Sequence, residues 1–83
     1  METPRYWVRL QNEAVPFVAE GKNAFAKHVI DADEEIRPHE EVLVIDERDN
    51  IIGIGKSKLT GLEMKAFKRG LAVKVRKGVG EEN

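Results

Sequence analysis

Two groupings of side chains in this sequence have the types and spacing to do chemistry, and both suit a polyanion better than a reaction. Lys65, Lys68, Arg69, Lys74, Arg76 and Lys77 fall within thirteen residues, with only apolar residues and Gly70 between them. On an extended strand Lys74 and Arg76 share a face about 6.6 Å apart, close to the spacing of successive phosphates along one nucleic-acid strand. The second grouping is Gly21-Lys22-Asn23-Ala24-Phe25-Ala26-Lys27-His28-Val29. A glycine just past a helix takes φ > 0 and lets another molecule approach the backbone, and flanking lysines suit a polyanion there. Each grouping also has a plain structural reading. The first is equally a solvated face opposing the acidic loops, and the second a helix stop followed by a strand.

Reactive constellations are missing. His28 and His39 are the only histidines, cysteine is absent, and Ser57, the only serine, has no base near it in sequence. Without cysteine there is neither a disulfide framework nor a thiolate zinc site. Gly53-Ile54-Gly55 lacks the third glycine of a dinucleotide fingerprint. Asp31-Ala32-Asp33-Glu34-Glu35 places oxygens at alternate positions, as a calcium loop does. Ile36 then stands where that loop needs glycine, and Val42 where it needs its last glutamate. The sequence therefore assigns no catalytic residue, no metal ligand and no cofactor, and the chain is expected not to be an enzyme.

Those residues must be positioned by a small scaffold. Eighty-three residues make a single domain, and a hydrophobic content of 41% suffices for one modest core. The net charge of −1 hides an asymmetry: residues 1–50 hold 6 Lys/Arg against 12 Asp/Glu, and residues 51–83 hold 8 against 3. The two balances, −6 and +5, point to an acidic face and a basic one. No apolar run reaches the length of a signal peptide or a membrane span, which leads to the expectation of a soluble cytoplasmic protein.

Met1 to Pro4 reads as a loose start. Tyr6-Trp7-Val8-Arg9-Leu10 reads as a first strand with Tyr6, Val8 and Leu10 on one face. Asn12 is placed to cap a helix through Glu20 that Gly21 stops, although Pro16 argues for a start at Pro16 itself. A second strand is expected over Ala24 to Ile30, then an acidic turn, then a type I turn at Arg37-Pro38-His39-Glu40. Glu41 to Asp46 is the strongest strand, apolar enough for burial on both faces, and a hairpin returns it into Ile51 to Ser57. Gly53 and Gly55 there mark a bend or a close backbone contact. Thr60 and Glu63 form a T-x-x-E capping box for a helix from Leu62 to Arg69, with Leu59 and Met64 as its staple. Leu62, Ala66 and Phe67 are expected to face inward, and Gly70 to end the helix. In the last strand Leu71, Val73 and Val75 point one way and Ala72, Lys74 and Arg76 the other. Gly78 and Gly80 release an acidic tail, 80–83. Short strands, tight turns and two short helices together predict a mainly β fold, a small barrel plugged at its ends by the helices.

Several runs resemble a known family. They are the Gly21–Val29 stretch, Asp31-Ala32-Asp33-Glu34-Glu35-Ile36-Arg37-Pro38, Glu41-Val42-Leu43-Val44, Gly55, Gly61-Leu62-Glu63-Met64 and Phe67-Lys68-Arg69-Gly70-Leu71-Ala72-Val73-Lys74-Val75-Arg76. Together they resemble a PUA domain, and most of all the C-terminal PUA domain of archaeal tRNA-guanine (archaeosine) transglycosylases. The likeness covers roughly residues 6 to 79. It implies a PUA-like mixed-sheet pseudobarrel of about six strands with two helices. It also implies RNA binding through the first helix, the glycine loop and the last strand. On this chain the RNA-binding residues would be Gly21, Lys22, Asn23, Ala24, Phe25 and Lys27 at the loop, and Lys74, Arg76 and Lys77 at the strand. Two departures stand out: Ala24 where a bulkier aliphatic residue is usual, and Pro38-His39-Glu40 in place of proline-glycine-aspartate.

The expectation drawn from all this is a non-catalytic, monomeric RNA-binding domain. It would dock structured RNA, the tRNA acceptor stem and 3′ end foremost, for an RNA-modifying enzyme. A free-standing protein, a detached subunit acting with a tRNA-modifying catalytic partner and an excised domain all fit. The alternative is a protein-interaction module that joins a catalytic partner through the apolar surroundings of Trp7 or Phe17 without itself binding RNA.

Overall fold

A computed structural model describes residues 6–80. The expected loose start and the end of the acidic tail lie outside that range. Six strands, β1 (Tyr6–Leu10), β2 (Ala24–Phe25), β3 (Val29–Ala32), β4 (Glu41–Ile45), β5 (Ile51–Ser57) and β6 (Leu71–Gly78), form one sheet in the order β2-β6-β5-β4-β1-β3. Only β1 and β4 pair in parallel; every other neighbouring pair is antiparallel. The two edge strands, β2 and β3, follow one another in the chain, so the sheet curls into a nearly closed mixed pseudobarrel. Its interior is aliphatic: Val8, Leu10, Val42, Val44, Val73 and Met64 are fully buried. The alternation expected of β1 is met, with Val8 and Leu10 inward and Trp7 and Arg9 on the outer face. In β4, Val42 and Val44 are buried but Leu43 is only half-buried, so that strand is covered mainly on one face.

The segment 24–30 is not one strand. A 3-10 turn, Ala26–His28, separates β2 from β3. Nothing in Ala-Lys-His signals a turn; partners elsewhere in the fold impose it. The Ala26 N–H donates to the Gly70 carbonyl at 2.9 Å, and the Gln11 N–H donates to the His28 carbonyl at 2.9 Å. Each strand is thereby claimed by a different edge of the sheet.

The first helical segment begins as a 3-10 turn, Asn12–Ala14, and becomes α1 (Val15–Ala19) with Pro16 in its first turn. Asn12 does not cap it. Its side chain makes no capping bond, and its N–H goes instead to Glu47 Oε2 at 2.9 Å. The second helix, α2 (Gly61–Ala66), has the full capping box. Glu63 N–H donates to Thr60 Oγ1 and Thr60 N–H donates to Glu63 Oε1. It packs on β3 through Gly61 and Met64, with Leu59 against the same core. The expected length and inner face were wrong. The helix ends at Ala66, Phe67 takes an extended conformation (ψ 140°), and Leu62, Ala66 and Phe67 are exposed. The helix stops where the Phe67 N–H has taken the Glu63 carbonyl and the backbone turns extended, leaving Lys68 and Arg69 in the turn that leads into β6.

Two further local features depart from the sequence reading. His39 sits at φ 69°, which belongs to the third position of a type II turn rather than type I. Glycine suits that position better than histidine does. The turn is held by Ser57, fully buried, whose hydroxyl donates to the Arg37 carbonyl and accepts the Glu40 N–H. At the chain's end, the Gly80 N–H is tied to the Ala19 carbonyl at 2.9 Å, so the tail is anchored as far as Gly80.

Candidate nucleic-acid interface

The end of α1 is a complete Schellman motif. Gly21 adopts φ 98°, its N–H donates to the Val18 carbonyl at 2.9 Å, and the Lys22 N–H reaches back to the Phe17 carbonyl at 3.0 Å. This motif brings Lys22 over the helix residue Phe17, and Lys22 Nζ lies 6.0 Å from the centre of the Phe17 ring. Gly21 is thus required for the turn. Its amide and that of Lys22 are already bonded within the protein, so they are not donors waiting for a phosphate.

From this turn the chain runs antiparallel along β6. Asn23 Oδ1 accepts the Val75 N–H at 3.0 Å, Ala24 is registered on Val73 and Phe25 on Leu71. Only the amide oxygen of Asn23 can accept, which fixes the orientation of its side chain. The bond lands where β6 is irregular. Gly55 faces Val75 while Ile54 faces Lys77, so Arg76 is an extra residue, a bulge. The bulge breaks the expected alternation and turns Arg76 and Lys77 both outward beside Lys74. Gly55 and Gly53 have the role expected of them, close backbone approach, against Lys74 and Lys77 of β6.

Between α1 and the loop lies a cleft of about 240 Å³, lined by Ala14, Phe17, Val18, Lys22, Asn23, Ala24, Phe25, Lys27 and His28. Five of the nine residues proposed from sequence therefore meet in one place. Phe17 and Phe25 are 55% and 45% exposed, unusual for rings that could have been buried, and they offer stacking faces. Among the described residues no carboxylate lines the cleft. Lys22 and Lys27 make no ion pair among the described residues. Ala24, by contrast, is 2% exposed, so it offers no side-chain contact and serves to pair with β6. A larger aliphatic residue there would have to be absorbed by the core.

Lys74, Arg76 and Lys77 do not line this cleft. They stand on the outer face of β6, and Arg76 is held by Glu41 at 2.8 Å, so its charge is partly neutralised. Lys74 faces Lys56 across the ladder, and that like-charged pair is exposed. Phe17 and His28 were not among the nine RNA-binding residues proposed from sequence. Phe17 had been named only for contact with a protein partner, and His28 only as part of the Gly21–Val29 run. Among the described residues no group of His, Asp and Glu is arranged to hold a metal ion, and no helix is long and apolar enough to cross a membrane.

A mixed pseudobarrel with a glycine-terminated first helix and a loop laid along the last strand defines a PUA domain. The PUA domain family matches residues 6–79, and the chain belongs to that family. Among characterised proteins it is similar to the tRNA-guanine(15) transglycosylase of Thermococcus onnurineus, with 53% identity over 76 residues, 92% of this chain and 13% of that enzyme. It is equally similar to the tRNA-guanine(15) transglycosylase of Methanocaldococcus jannaschii, with 53% identity over 92% of this chain and 12% of the enzyme. The chain thus spans about an eighth of the length of these RNA-modifying relatives. Among solved structures, NSun6 from Pyrococcus horikoshii superposes with a TM-score of 0.89 at 30% identity, covering 95% of this chain and 21% of that one. A hypothetical protein of the same organism gives 0.88 at 32% identity, covering 92% of this chain and 46% of that one.

Proposed function

We propose that this PUA domain is a non-catalytic, monomeric cytoplasmic module that docks structured RNA, foremost the acceptor stem and 3′ end of tRNA, for an RNA-modifying enzyme. The observation that carries the reading is the α1–loop cleft. Among the described residues it combines two cations without acidic partners, two half-exposed aromatic rings and no carboxylate, which is the composition of a surface for phosphates and unstacked bases. Lys22 and Lys27 would meet the backbone, Phe17 and Phe25 would support a base or a terminal base pair, and Gly21 and Asn23 would hold the loop in shape. Lys74, Arg76 and Lys77 would extend the basic track along β6, with Arg76 contributing less than Lys74 because of Glu41. The tRNA named in the transglycosylase relatives supports the choice of RNA.

The test is a titration of tRNA with and without its 3′ CCA at several salt concentrations. Binding that weakens steeply with salt and is tighter with the CCA than without it supports the reading; no affinity at low salt refutes it. A second reading, docking on a catalytic partner, draws on a different surface. Ile51 (50% exposed) and Val79 (60% exposed) flank a shallow apolar hollow with Ile54 and the stem of Lys77. Around Trp7, the Arg9 guanidinium stands over the ring 5.3 Å from its centre, so a partner docking there would meet a cation as well as the indole.

A further inference from the structure

The early end of α2 creates a second concavity that the proposed function does not use. Leu59, Phe67, Lys68, Arg69 and Gly70 line an open groove of about 660 Å³. Phe67 leaves the helix with an extended backbone while its N–H still caps the Glu63 carbonyl at 2.8 Å, and its ring remains 45% exposed. Lys68 and Arg69 follow at once. Neither makes an ion pair among the described residues, whereas Arg9, Lys65 and Arg76 all do. At Gly70, φ 96°, a Cβ would meet nothing within 4 Å, so the floor of the groove is open backbone. Among the described residues no carboxylate lines it. A residue of each concavity is tied to the same backbone bond: the Gly70 carbonyl, at the groove, accepts the Ala26 N–H at 2.9 Å, and Ala26 follows Phe25, which lines the first cleft.

We propose that this groove is a second nucleotide subsite, taking one unpaired nucleotide of the same RNA, its base stacked on Phe67 and its phosphate held by Lys68 and Arg69. The proposal rests on the RNA-docking reading above. Three features select this occupant. A base inside a duplex has both faces covered by its neighbours, so an isolated exposed ring can stack only on an unpaired or terminal base. Two adjacent unpartnered cations beside that ring match the phosphate of the same nucleotide. The Ala26–Gly70 bond places the groove next to the loop, so one strand can pass from the first cleft into the second.

The experiment compares two labelled RNA hairpins of identical stem, one blunt and one with a short unpaired 3′ extension, by fluorescence anisotropy. Phe67→Ala should lower affinity for the extended hairpin roughly five- to a hundredfold and leave the blunt one unchanged, and Phe67→Tyr should restore binding. Because Phe67 is half-exposed, thermal melts of both variants should match the parent. Lys22→Ala with Lys27→Ala, assayed on the blunt hairpin, reports separately on the first cleft. If that pair weakens binding while Phe67→Ala acts on both hairpins equally or on neither, the subsite is overturned and the docking reading stands. The groove would then be open to a protein partner instead. If the parent binds neither hairpin, both ideas fall.

Discussion

Asn23 offers the sharpest separation of structure from binding, because two substitutions at one atom should have opposite effects. Its Oδ1 is the acceptor for the Val75 N–H, and Val75 is 8% exposed. Asn23→Ala leaves that amide beside the β6 bulge without a partner. The expected cost is about 1–3 kcal/mol, the penalty for a buried donor left unsatisfied. In a domain of this size each ~1 kcal/mol lowers the melting midpoint by about 4–8 °C, which calorimetry resolves easily. Asn23→Asp keeps an oxygen in the same place and makes the bond charge-assisted, so stability at neutral pH should stay within about 1 kcal/mol of the parent. It also puts a negative charge in the cleft beside Lys22, so RNA affinity should fall and the salt dependence should flatten by about one phosphate contact, roughly 0.7–0.9 in log–log slope. The two variants should thus rank in opposite order in the two assays, with RNA titrations run where both are folded. If Asn23→Asp melts as low as Asn23→Ala, the acceptor oxygen is not what holds the loop to β6. If it melts like the parent and binds RNA like the parent, Asn23 lies outside the interface.

Other expectations follow from the same geometry. Gly21→Ala should cost on the order of 1 kcal/mol through its left-handed backbone, read in chemical melts, and no destabilisation would mean that the Schellman turn is not retained in solution. Lys74→Ala should flatten the salt slope of tRNA binding by roughly 0.7–0.9, and Arg76→Ala by less, since Glu41 already holds its guanidinium; equal effects would argue that the Arg76–Glu41 pair opens on binding. Thr60→Ala should destabilise by about 1 kcal/mol through the lost cap without changing RNA affinity, and a large affinity loss in the folded variant would bring α2 into the interface. Asp46 accepts the N–H groups of Arg48 and Asn50, and these bonds, chiefly those from Asn50, hold its carboxyl below the ordinary value of 3.8. Its stabilisation of the β4–β5 hairpin is therefore complete above that value and lost as pH falls through the lower folded one. An NMR titration showing Asp46 protonated at or above the ordinary value would refute this.

Four of the six strands were legible in the sequence, as was the capping box, because each is specified by its own residues. Alternation places β1, an apolar run places β4, and Thr60 with Glu63 pins the start of α2. What could not be read is set by partners distant in the chain. The break between β2 and β3 depends on bonds to Gly70 and Gln11, and the loss of the Asn12 cap depends on Glu47. The end of α2 at Ala66 has no breaker of its own in the sequence before Gly70. The same division runs through the site. Gly21 and the lysines announce themselves, but the β6 bulge that turns both Arg76 and Lys77 outward is visible only once β5 is laid beside it. Nor could the sequence distinguish Asn23 as a contact from Asn23 as a tether.

The charge distribution explains how a chain of net charge −1 can present a surface for a polyanion. Several carboxylates are engaged away from the cleft: Asp31 and Glu34 on Lys65, Asp49 on Arg9, and Asp46 within its own turn. The Lys65 ammonium is held above its ordinary range, chiefly by its hydrogen bond to Glu34, so it keeps its charge further into the alkaline range. Glu47 is likewise occupied, on the Asn12 backbone. On the side built from the 21–28 loop and the 67–70 turn, Lys22, Lys27, Lys68 and Arg69 have no such partners among the described residues, and no carboxylate lines either concavity. Summed over the chain the two populations cancel. Over a Debye length of about 8 Å at physiological salt they do not, and an RNA strand lying along the loop is exposed to the cations nearest it rather than to the net charge.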